Sequence, residues 1–153
     1  MYTLGINAAY HDSAAALIAD GEVVAAAEDE RFTRIKHGKR PVPFSTWQLP
    51  YAAIDFCLAT AGIELSDVDR IAYSYDPSLL GVDAADGQLV LPMQPSAHAA
   101  ADEDPWHPLF VASVVNAPRQ LAGGAPHHLQ RRFRGLRPED VAARWEFVEH
   151  HLA

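Results

Sequence analysis

Three short apolar runs separated by polar turns open the chain. The first, Tyr2–Asn7, reads as a buried strand. Ala14–Ala19 and residues 22–27 follow, with Asp20-Gly21 between them. That dipeptide suits a type I′ turn, whose two central residues both need positive φ. The pattern predicts a β-hairpin with the first strand beside it. All three runs are apolar on both faces, the pattern of a sheet covered on both sides.

Residues 28–40 interrupt this pattern. Glu28-Asp29-Glu30-Arg31 is followed by Arg34, Lys36, Lys39 and Arg40, which predicts a loop or a short exposed helix rather than core. Pro41 and Pro43 then stop regular structure. Residues 49–61 carry the clearest helical signal. Ala53, Phe56, Cys57 and Thr60 fall at i, i+3, i+4 and i+7, and Leu58 and Ala61 widen the stripe. Pro50 suits the first turn, and Gly62 suits the left-handed residue past the end.

Residues 70–75 are predicted as the next strand, closed by Asp76-Pro77. Small residues, prolines and acids give residues 78–104 a loop composition. Helical pattern returns over 108–116 and again over 126–134. Residues 144–150, with Trp145-Glu146-Phe147-Val148, read as a last strand. The predicted order is β-β-β-α-β-α-β, an α/β fold with a mixed sheet. A strand, a hairpin and then helix-linked strands is also the order of the ribonuclease-H-like superfold of actin, chaperone ATPases and sugar kinases.

Composition narrows the class. The 153 residues suffice for one ordinary domain, and 49% hydrophobic against 21% charged residues is a globular balance. A formal net charge of −8 argues against a general nucleic-acid partner, since phosphate contacts want a basic surface. The single cysteine, Cys57, excludes an internal disulfide, and its place in the helical stripe reads as a small buried hydrophobe. No apolar run approaches the ~18–20 residues of a membrane span. The first residues lack the basic region and apolar stretch of a signal peptide. The expected location is the cytoplasm, with no membrane partner.

Several segments carry chemistry. Asn7 to Ser13 is a polar turn between two apolar strands, where ligands sit in α/β sheets. His11 suits general acid–base work, and Asp12 suits orienting it, holding a substrate hydroxyl or binding metal. Asp12 and Ser13 equally suit satisfying the amides of the turn. Arg31, Arg34, Lys36, Lys39 and Arg40, with His37-Gly38 among them, form either a phosphate clamp or a solvated face. Gly123-Gly124 before Pro126 resembles an anion-binding glycine loop but lacks the spacing of the known phosphate fingerprints. His150-His151 are adjacent, so they face different ways on a helix or strand and do not make a metal pair alone.

The combination resembles one enzyme family. LGINAAYHDSAAALIADGEVVAAAEDERFTRIKHG, residues 4–38, is similar to the opening of the nodulation-factor, cephamycin and aminoglycoside O-carbamoyltransferases. The resemblance continues through AIDFCLATAGIELSDVDRIAYSYDP (53–77), PLFVASVVNAPRQLAGGAPHHLQRRFRG (108–135) and WEFVEHHLA (145–153), leaving residues 82–104 least characteristic.

That resemblance implies the ribonuclease-H-like fold and a two-stage reaction. An adenylate-forming domain makes carbamoyl-adenylate from ATP and carbamoyl phosphate, and the transfer domain passes the carbamoyl group to a substrate hydroxyl. It implies iron, or another divalent metal, in the transfer domain. His11 and Asp12 fall on the turn facing the acceptor, which implies catalytic roles. Lys36 falls on the lysine of the family's R-x-K-H-G segment, and Asp76 on the acid ending the fourth strand; both are implied cofactor contacts. His150 falls on the first histidine of the H-H-L-A-H motif, an implied metal ligand. Residues 1–153 then correspond to the N-terminal lobe of the transfer domain. The resemblance places the rest of that domain, further ligands and the adenylate-forming domain beyond it. The chain alone is expected to be inactive, to bind metal weakly and to self-associate or need that remainder as partner. A kinase-like phosphotransferase of the same superfold and a non-catalytic split-gene binding module are the competing readings.

Overall fold

A computed structural model describes residues 1–8, 12–38, 49–80, 125–133 and 136–150. His11, the helix expected over 108–116 and the Gly123-Gly124 loop lie outside the described residues.

Five strands form one mixed sheet in the spatial order β3-β2-β1-β4-β5. They are β1 (Tyr2–Asn7), β2 (Ala14–Ala19), β3 (Glu22–Glu28), β4 (Arg70–Tyr73) and β5 (Trp145–Phe147). The hairpin is antiparallel, whereas β4 runs parallel to both β1 and β5. Asp20 and Gly21 have φ of 50° and 90°, as the type I′ turn requires. The register slips between Leu17 and Ile18, because Leu17 faces Ala25 while Ile18 faces Val23. Val24 is the extra residue of a β-bulge on an edge strand, a position where bulges discourage further pairing.

Alternation assigns the two faces different jobs. Leu4, Leu17, Ala25 and Ile71 stand in one cross-strand row, and Ile6, Ala15 and Tyr73 in the next; all are buried. Each large aliphatic there removes enough apolar surface to stabilise the fold by roughly 1.5–3 kcal/mol. Tyr73 extends the core to β5, stacking on Trp145 at 5.4 Å and meeting Phe147 edge-on at 6.2 Å. The opposite face carries Gly5, Ala16, Ala26 and Ala72 in register. Gly5, Ala16 and Ala72 are half-buried and Ala26 is exposed, so among the described residues this face is covered less than the first. Small side chains make it apolar without making it core. Val23 and Val24 of the edge strand are exposed as well.

Helix α2 (Tyr51–Ala61) packs on β2 and β3. It ends where the sequence predicted, with Gly62 at φ 67° in the left-handed cap. Its buried stripe is Ala53, Ile54, Cys57 and Leu58. Phe56 and Thr60, expected in that stripe, face outward, so the face is rotated by about one residue. Phe56 instead meets Phe32 of the short helix α1 (Glu30–Thr33) at 5.4 Å.

The amino end of α2 is capped from a distance. Asp29 Oδ1 accepts the backbone N–H groups of Ala52 and Ala53 at 3.0 and 3.1 Å. A carboxylate there satisfies two amides that the helix cannot, and it faces the positive end of the helix dipole. Asp29 is buried, and desolvation holds its carboxyl above the ordinary aspartate range. Desolvation likewise pushes the buried Cys57 thiol up, so it is packing material rather than a thiolate.

Helices α3 (Ala125–Arg132) and α4 (Pro138–Arg144) precede β5. The second was not expected from the pattern; β5 starts only at Trp145. Arg144 Nη1 donates to the carbonyls of Ser66 and Val68, tying α4 to the turn before β4.

Candidate functional site

The parallel strands β1 and β4 lie side by side near the sheet centre, and their carboxyl ends point the same way. Such ends are where ligands bind in open α/β sheets, because both chains leave the sheet there and expose backbone and turn side chains. In this protein Asn7 ends β1 and Ser74 directly follows β4. The Ser74 amide continues the ladder to the Ile6 carbonyl at 3.0 Å, and Ser74 Oγ donates to Asn7 Oδ1 at 2.7 Å. Asn7 Nδ2 in turn donates to the Asp12 carbonyl at 3.1 Å.

Asp12 and His37 are both in left-handed backbone, with φ of 51° and 60°. That region is sparsely used by residues with a Cβ, and the surroundings must hold it. Here the two side chains hold each other: His37 Nδ1 lies 2.7 Å from Asp12 Oδ1. Both main-chain ends of His37 are pinned too. Its N–H donates to Glu30 Oε2 at 2.9 Å, and its carbonyl accepts the Ser13 amide at 3.3 Å.

At the other end of this polar row, His150 Nδ1 lies 3.0 Å from the Ser74 carbonyl. A carbonyl only accepts, so Nδ1 carries the hydrogen and the neutral ring's lone pair is on Nε2. A metal-ligating histidine is oriented in this way by a backbone carbonyl behind it. One imidazole is one ligand, however. Among the described residues no three His, Cys, Asp or Glu side chains gather to hold a metal.

Asn7, Ser74 and His150 of this row line a trough on the small-residue face of the sheet, with a cavity volume of about 1080 Å³. Gly5, Ala16, Ala26 and Ala72 floor it, Phe32 and Phe56 flank it, and Asn7, Ser74 and His150 lie at its polar end. Glu28 and Arg31 add one charge of each sign to the lining. The arrangement offers an apolar slot beside a cluster of hydrogen-bonding groups.

Asp12 and His150 join the polar row. Lys36 is exposed in the single turn Lys36–Gly38, next to His37. Asp76 Oδ1 accepts both the amide and the hydroxyl of Ser78, at 2.9 and 2.7 Å, capping the turn after β4. His11 is outside the described residues. Sequence reasoning set Asp12 beside its neighbour His11; the structure brings it to His37, 25 residues away. Ser74 carried no signal of its own beyond its place at a predicted strand end.

The family described as carbamoyltransferase N-terminus matches residues 2–80, just over half of the chain and every residue of the polar row except His150. The chain belongs to the carbamoyltransferase N-terminus family. An uncharacterized protein of Synechocystis sp. is 47% identical over 76 residues, which are 50% of this chain and 11% of that protein. Nodulation protein NolNO of Sinorhizobium fredii is 48% identical over 67 residues, 44% of this chain and 9% of that protein. An uncharacterized 19.2 kDa protein of Rhizobium etli is 48% identical over 67 residues, 34% of its length. The matched stretch is thus well under two thirds of each of these curated relatives. No helix among the described residues is long and apolar enough to cross a membrane.

Proposed function

We propose that this chain is the N-terminal lobe of the transfer domain of an O-carbamoyltransferase, acting in the cytoplasm on a small-molecule hydroxyl acceptor. Membership of the carbamoyltransferase N-terminus family carries the reading. The site supports it: a polar row at the carboxyl ends of two parallel strands, beside an apolar trough wide enough for a small organic molecule. The spatial order β3-β2-β1-β4-β5, with β2 antiparallel to its neighbours, supports a ribonuclease-H-like fold.

Carbamoyl transfer needs a hydroxyl deprotonated, a carbamoyl carbon held close to it, and a phosphate-type leaving group neutralised. In this reading the turn that carries His11 and Asp12 faces and positions the acceptor. Lys36 and Asp76 contact the nucleotide part of a carbamoyl-adenylate made from ATP and carbamoyl phosphate. His150 supplies one ligand to iron or another divalent metal, whose chemistry when bound is neutralisation of the leaving group. The much longer relatives support placing further ligands and the adenylate-forming part in chain beyond the matched stretch.

The test is product analysis on the natural gene product that carries this chain. Carbamoyl-phosphate-dependent release of AMP and pyrophosphate from ATP, with transfer to a hydroxyl acceptor, is the expected result. ADP release with phosphorylation of the acceptor would replace this reading by a kinase-like one.

A further inference from the structure

Asp12 and His37 come from different turns, and nothing in their sequence spacing joins them. The fold nevertheless spends two left-handed, non-glycine residues to bring one carboxylate onto one imidazole nitrogen. Strain of this kind persists only where surrounding contacts hold it, and it concentrates at working sites. The contacts are present: the Asp12 carbonyl is held by Asn7, and both backbone ends of His37 are held by Glu30 and Ser13. The His37 side chain is 44% exposed, so the ring is fixed without being buried. An ionised carboxylate only accepts, so the neutral ring carries its hydrogen on Nδ1 and its lone pair on Nε2, at the opposite edge.

We propose that His37 is a catalytic residue, the proton acceptor for the attacking hydroxyl, and that Asp12 is its positioning residue. The proposal rests on the carbamoyl-transfer reading and assigns a role in it to an imidazole that the family resemblance left without one. In the step, the acceptor O–H bond breaks and its proton passes to His37 Nε2. The oxygen's electron pair forms a bond to the carbamoyl carbon. The bond from that carbon to the donor's phosphate oxygen breaks, and its electron pair leaves with the phosphate. Asp12 stabilises the imidazolium so formed and fixes which nitrogen takes the proton. Among the described residues, the charged and titratable groups around His37 are Asp12, Glu30, whose carboxylate holds its amide, and Lys36 beside it in the same turn.

His37→Gly is the informative variant, because glycine adopts φ near 60° readily and the change should not unfold the protein. In the natural gene product, carbamoyl transfer should fall by on the order of 100-fold in kcat with KM changed little. Added imidazole should restore at least about tenfold of the loss, with a pH dependence following free imidazole. Asp12→Asn should lower kcat and displace the pH profile. Nitrogen NMR of the His37 ring needs no turnover and should show hydrogen on Nδ1, lost as the dominant tautomer in Asp12→Asn. A glycine variant within about threefold of wild type, or one that imidazole does not rescue, overturns the proposal and leaves carbamoyl transfer standing. A wild-type ring with hydrogen on Nε2 overturns it as well. Absence of carbamoyl transfer in the wild-type protein, with the expected tautomer, overturns the functional reading itself.

Discussion

Ser74 Oγ donates to Asn7 Oδ1 at 2.7 Å, joining the ends of two strands that are 67 residues apart in sequence. Through Asn7 the same link reaches the Asp12 carbonyl, so β4 helps to hold the turn that carries Asp12. Ser74→Ala removes one partly buried hydrogen bond and should cost about 1 kcal/mol in urea unfolding. Asn7→Ala removes both links and should cost more, about 1–3 kcal/mol. Because the two residues share a bond, the double variant should fall short of additivity by at least ~0.5 kcal/mol. Additive losses would mean that the link contributes nothing.

Asp29 gives a prediction with a definite pH sign. Desolvation raises its carboxyl against the opposing pull of the Ala53 and Ala52 amides. A folded-state pKa above the unfolded one means that the folded protein binds the proton more tightly. The ionised group therefore costs stability above the folded pKa, and that cost fades as pH falls through the folded value toward the ordinary aspartate range. Asp29→Asn keeps an acceptor for the two amides without the charge. Wild-type stability measured against it should decline as pH rises above the ordinary aspartate range, then level off. Asp29→Ala removes the cap and should cost about 1–2 kcal/mol at neutral pH.

The small-residue face bears on assembly. Gly5, Ala16, Ala26 and Ala72 floor an apolar trough on the less covered face of the sheet. Sedimentation of the 153-residue chain should show self-association, weakened by Ala16→Glu, a charge placed on that floor. A monodisperse monomer would contradict the expectation that this face needs a partner.

What was legible in the sequence is what is local. The type I′ dipeptide Asp20-Gly21 fixes a hairpin from two residues, and Gly62 ends α2 where expected, because positive φ is a property of the residue itself. Strand positions followed from short apolar runs. Which face is core did not, since alternation of leucine and isoleucine with glycine and alanine looks apolar throughout; only the size of the side chains separates Leu4 and Ile6 from Gly5. The rotation of α2 was hidden for a related reason: Phe56 is apolar but packs on Phe32 near the surface. Helix α4 does carry a local signal, Pro138 in the first turn followed by Glu139 and Asp140. Asp12 with His37, and Asp29 with Ala52 and Ala53, were beyond reach, because pairs made by folding leave no spacing rule in the chain.

Carbamoyl transfer itself is tested most directly by one assay. The natural gene product is supplied with ATP, carbamoyl phosphate labelled in the carbonyl carbon, and a panel of hydroxyl-bearing sugars and antibiotics, and label in the acceptor is followed. The expected result is a carbamoylated acceptor together with AMP and pyrophosphate, and no transfer by residues 1–153 alone. Transfer of phosphate instead of label, or no consumption of carbamoyl phosphate with any acceptor, would contradict it.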